Sequence, residues 1–110
     1  MTLVQLVELI GNVLTQLDRI LSDPALPSSN PDWQQLYAMR VQLDGKQKQL
    51  VGLSITLDDN SFTSLTSKIA DADATLKQQI GDLAKVASTI STAAKIAALA
   101  DQIISLAAAL

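Results

Sequence analysis

Residues 3–21 carry apolar side chains at Leu3, Leu6, Ile10, Val13, Leu17 and Ile20, alternately three and four residues apart. Apolar positions that recur at this interval share one face of a helix. Gln5, Glu8, Asn12, Thr15, Arg19 and Ser22 form a polar face opposite, while Val7, Leu14 and Leu21 broaden the apolar one. A helix is predicted over 3–22, with Thr2 as its N-cap.

Pro24 and Pro27 end that pattern, because proline disfavours helix for itself and for the residue before it. A loop is predicted over 23–30. Asn30, Pro31 and Asp32 then read as a helix start: a capping side chain, a residue suited to the first helical position, and a carboxylate at the positive end of the dipole. The second helix is predicted over 31–57. Its apolar stripe is Leu36, Leu43, Leu50 and Leu57, with Met39 and Leu53 between and Lys46 in a seam position. A lysine there either extends its charge to water or fixes register at some loss of stability. The leucine spacing is not that of a DNA-binding zipper, since no basic region precedes it.

Residues 50–57 also fit a strand. Val51, Leu53, Ile55 and Leu57 alternate with Gly52, Ser54 and Thr56, and glycine disfavours helix by about 1 kcal/mol relative to Ala. A strand needs partners, and no other stretch supplies one. Helix with fraying or a bend near Gly52 is therefore the expectation.

Asp58, Asp59, Asn60 and Ser61 mark a capping turn, with Asn60 or Ser61 as the cap. The glycine and terminal Glu of a calcium loop are absent. From Phe62 a seven-residue repeat runs through Ile69, Leu76, Leu83, Ile90, Ala97 and Ile104. A third helix is predicted over 61–109. It is either a continuous rod of about 70 Å or broken at 88–92, where Ser and Thr compete for backbone hydrogen bonds. The fold class expected is an all-α, coiled-coil-like antiparallel helical bundle of three long helices, or four if the third is broken. One domain accommodates all 110 residues.

The last stretch carries a second stripe, Ile96, Leu99, Ile103, Leu106 and Leu110, offset from the first. This tail is covered by its own bundle, by another chain, or by lipid. A single-copy membrane span is disfavoured: Asp101 at the centre costs about 2.5–3.5 kcal/mol, and each Leu or Ile returns only about 0.3–0.6 kcal/mol.

Composition removes several chemistries. The chain has neither cysteine nor histidine, so disulfides, thiolate nucleophiles and the commonest metal ligand and general base are all missing. Net charge is −3 with no basic block, which argues against nucleic acid as a partner. Ser64 with Lys68 and Ser91 with Lys95 have the one-turn spacing of a Ser–Lys pair, yet nothing beside them suggests an oxyanion site. No catalytic residue, cofactor or metal is expected. The apolar N-terminus lacks a positive n-region and a cleavage site, so no signal peptide is recognised and a cytoplasmic location is favoured.

The function expected is a non-enzymatic interaction module. It self-associates or docks a helical protein partner through Ile96, Leu99, Ile103, Leu106 and Leu110, with Trp33 and Tyr37 as a second candidate anchor. The alternative is a membrane-active component, pore-forming or lytic, whose C-terminal helix inserts after assembly.

Overall fold

Thr2 caps the first helix as its position predicts. In the computed structural model, which describes residues 2–53 and 60–109, Thr2 Oγ1 accepts from Gln5 N (3.1 Å) and Gln5 Oε1 accepts from Thr2 N (2.8 Å). This reciprocal pair satisfies two backbone donors at the start of α1 (Leu3–Leu21). The face of α1 at Leu6, Ile10, Val13, Leu17 and Ile20 is buried.

The Pro-containing loop follows, its Leu26 turned into the core. The second helix, α2 (Pro31–Val51), starts as the sequence indicates: Asn30 Oδ1 accepts from Asp32 N at 2.9 Å, and Pro31 holds the first position. Its fully buried stripe is Leu36, Leu43 and Leu50. The helix ends at Val51 with Gly52 as C-cap, earlier than the expected 57. The helical reading therefore holds at Leu50 and Val51, whereas positions 54–57 lie outside the described residues.

The third predicted helix is two helices. The first, α3 (Asn60–Gln79), begins one residue before the predicted 61. The chain turns at 80–82, makes one 3-10 turn (Leu83–Lys85) and enters α4 (Val86–Ala108). The break thus falls at Gly81–Asp82 and not at 88–92. Asp82 is extended and its carboxylate accepts from Ala84 N at 3.0 Å, which starts a new helix. Residues 88–92 are helical, and the two threonine hydroxyls there turn back to carbonyls of the preceding turn: Thr89 to Lys85 O (3.1 Å) and Thr92 to Ser88 O (2.9 Å). A straight rod is excluded, since the molecule measures 44 × 22 × 18 Å.

Among the described residues the four α-helices form two hairpins. Asp18 meets Arg40 and Val7 meets Gln47, so α1 and α2 run antiparallel. Thr92 reaches Gln79, so α3 and α4 also run antiparallel. Between hairpins the neighbours are parallel: Gln16 of α1 meets Asp73 of α3, and Met39 and Lys46 of α2 lie beside Ala94 and Asp101 of α4. One core joins them, built almost wholly from Leu, Ile, Val and Ala, with Phe62 the only fully buried aromatic among the described residues. Gly11 permits the close approach of α1 to α2. A Cβ there would stand 3.2 Å from Gln47 Nε2, which donates to Val7 O at 3.1 Å.

Candidate interaction surface

The reset at Gly81 changes which face of α4 is inward. The buried positions are Thr89, Ala93, Ile96, Ala97, Leu99, Ala100 and Ile103. Ile96, Leu99 and Ile103 come from the offset stripe and Ala97 from the seven-residue repeat, whose larger members Leu83, Ile90 and Ile104 are only partly buried. Of the five tail residues expected to form a docking face, Ile96, Leu99 and Ile103 therefore belong to the chain's own core. They cannot bind a partner while the bundle is closed. Leu106 is 38% exposed, and Leu110 lies outside the described residues.

What α4 presents outward is a line of small residues: Ala87, Ser91, Ala94, Ala98 and Ser105, all exposed, with Lys95 and Gln102 on one flank and Asp101 on the other. Beside it lies a shallow groove between α2 and α4, lined by Met39, Gln42, Lys46, Ala94, Ala97, Ala98 and Asp101. Lys46 Nζ crosses this groove to Asp101 Oδ1 at 2.7 Å. The lysine in the α2 seam thus lays its methylenes along the groove and delivers its charge to α4. Asp101 remains 57% exposed, so solvent screens the pair.

Trp33 and Tyr37 are stacked, ring centroids 5.3 Å apart and planes within 5°. Trp33 is half-buried against the core, and its indole N–H donates to Leu21 O at 2.9 Å. That carbonyl is one of those a helix C-terminus leaves without an intrahelical donor. Trp33 therefore ties the end of α1 to the start of α2, which is a structural task. Tyr37, 50% exposed, and Val41, 52% exposed, face solvent beside it. Arg40 closes this patch: its Nε lies 3.0 Å from Asp18 Oδ1 and its Nη2 3.4 Å from Asp18 Oδ2. The Asp18 hydrogen bond raises the guanidinium's already high proton affinity. Asp44 bridges onward from Arg40 to Lys48 (3.8 and 3.0 Å), so charges alternate along the outside of the first hairpin.

Ser64, Lys68, Ser91 and Lys95 are all exposed on helix surfaces. Among the described residues no three carboxylates gather as a metal site would need. One feature escaped the sequence altogether. Gln16 and Asp73 are buried, 6% and 3% exposed, and bonded across α1 and α3. A lone glutamine in an amphipathic helix gives no sign that it faces inward.

The described residues define an all-α bundle of four helices whose last helix turns an Ala-rich face outward. No family model, curated protein or solved structure matches the chain.

Proposed function

We propose that this protein is a non-enzymatic helical interaction module that self-associates through the outward face of α4. One observation carries the reading. The segment Leu83–Ala108 contains an 18-residue stretch of mean hydropathy 1.3, long and apolar enough for a membrane span by length and composition, of which 33% is buried inside the bundle. A helix this apolar with most of its residues outside the buried core is suited to being covered by something else. Small side chains at Ala87, Ser91, Ala94 and Ala98 let a second helix approach closely, and a second copy of α4 presents the same small residues in return.

The test is light scattering during size exclusion, without detergent. Self-association predicts a discrete mass at a multiple of the 11.7 kDa chain. The double replacement Ala94→Glu and Ala98→Glu should return it to a single chain while leaving its helical circular dichroism intact, since both positions are exposed. A monomer at all concentrations would overturn self-association.

The same hydropathy favours a second reading, insertion of α4 into a bilayer after assembly. Neutralisation of Asp101 by Lys46 would be lost on insertion, which makes a single-copy span costly. Absence of dye release and of binding from vesicles of neutral and of anionic lipid would dispose of it.

A further inference from the structure

The interfaces of this bundle differ in kind. Of the four buried polar side chains among the described residues, Gln16, Thr66 and Asp73 come from α1 and α3; the hydroxyls of Thr66 and Thr89 bond carbonyls of their own helices, which leaves Gln16 and Asp73 as the pair that needs a partner across an interface. The α2 stripe of Leu36, Leu43 and Leu50 brings no buried polar group to its contacts. The α1–α3 interface is also the sparsest of the four between neighbouring helices. Its centre is the Gln16–Asp73 hydrogen bond, 2.9 Å long. That bond leaves Gln16 Oε1 buried with no partner. Asp73 is completed only by Lys77, 3.2 Å away on the same helix and largely in solvent. A cleft lined by Asn12, Thr15, Gln16, Arg19, Lys77 and Ile80 opens onto the same seam.

We propose that the bundle opens first along this seam: α1 and α3 part while α2 and α4 remain packed against each other. The physical reason is a difference between states. When the seam is shut, Gln16 Oε1 has lost water and gained nothing, which is the expensive condition for a polar atom. When it opens, water reaches that oxygen, Gln16 Nε2 and the Asp73 carboxylate together, so the polar groups gain part of what the apolar groups lose. Between α2 and α4 the return is smaller, because the Lys46–Asp101 pair already reaches solvent in the closed bundle and what else separation wets is mainly hydrocarbon. The open form would expose the inner faces of α1 and α3, including Val13, Leu17 and Ile69. This device is independent of what α4 docks.

The absence of cysteine makes native-state thiol labelling a clean test. Thr66 stands seven residues before Asp73 on the same face of α3, and Thr89 lies on the buried face of α4. Both are at most 3% exposed, and both hydroxyls bond only a carbonyl of their own helix. Thr66→Cys and Thr89→Cys are therefore matched probes. Each labelling rate is normalised to that of the same variant in denaturant. The seam predicts that Thr66→Cys labels at least ten times faster than Thr89→Cys. Equal rates, or the reverse order, would overturn it. Adding Gln16→Leu and Asp73→Leu should collapse the ratio towards one, and a ratio that survives would remove the polar pair as the cause. Should either thiol variant fail to fold, amide exchange on the unsubstituted protein decides. Val13–Leu17 and Ile69–Asp73 should exchange before Leu36–Leu43 and Ile96–Leu99, and the opposite order refutes the seam.

Discussion

Gln16 Nε2 on α1 donates to Asp73 Oδ1 on α3 at 2.9 Å, and this is the one buried side-chain hydrogen bond that joins the two hairpins among the described residues. Its removal is expected to be asymmetric. Asp73→Ala strands the Gln16 amide in an apolar setting and should destabilise by about 1–3 kcal/mol. Replacing both residues by Leu removes every unpaired group and should be neutral or stabilising. Urea unfolding of the three proteins checks this. A double variant weaker than Asp73→Ala would show that the pair stabilises the fold beyond its own satisfaction.

Leu43 and Val41 are two residues apart on α2 and should behave oppositely. Leu43 is fully buried, so Leu43→Ala opens a cavity and should lower stability by roughly 2–5 kcal/mol. Val41 is 52% exposed, so Val41→Ala should stay within about 0.5 kcal/mol. Thermal or urea denaturation of each variant gives the comparison.

The turn between α3 and α4 makes a third prediction. Asp82→Ala loses the cap on Ala84 N and should cost about 0.5–2 kcal/mol. Gly81 has no positive φ, and a Cβ there would meet nothing within 4 Å. Gly81→Ala should therefore stabilise by about 0.4–1 kcal/mol, through the unfolded chain. A loss of stability on Gly81→Ala would mean that the turn needs glycine after all.

Trp33→Phe keeps a ring against Tyr37 but deletes the donor to Leu21 O. The expected loss is about 0.5–1.5 kcal/mol, the net worth of one hydrogen bond. It should appear in a urea melt followed by circular dichroism. No loss would mean that water serves Leu21 O equally well.

Much of the first hairpin was legible because its signals are local. Thr2, Asn30 and Pro31 act on backbone within one turn, and the apolar faces of α1 and α2 follow from spacing alone. The second hairpin misled for a specific reason. The turn at 80–85 is short enough that Leu83 and Ile90 keep the seven-residue count, so the repeat passes through the break unmarked. Gly81 followed by Asp82 was the available signal, a helix breaker before a capping carboxylate. The inward face of α4 was ambiguous because two stripes overlap there, and only the positions of α2 and α3 choose between them. The polar seam depends wholly on tertiary placement: Gln16 and Asp73 are 57 residues apart.

The pairing of helices also sets an order of events. Within each hairpin the partners are near in the chain, Gln79 with Thr92 and Asp18 with Arg40, whereas α1 and α3 must find each other across half its length. Short loops close at little entropic expense and long ones close later. Each hairpin is thus a natural early folding unit, and docking of the two is the late step. A kinetic experiment would see this as mutational effects of the within-hairpin contacts, Arg40 with Asp18 and Thr92 with Gln79, separate from those of Gln16 and Asp73. The latter pair should change the unfolding rate more than the folding rate, because their contact forms after the barrier has been crossed.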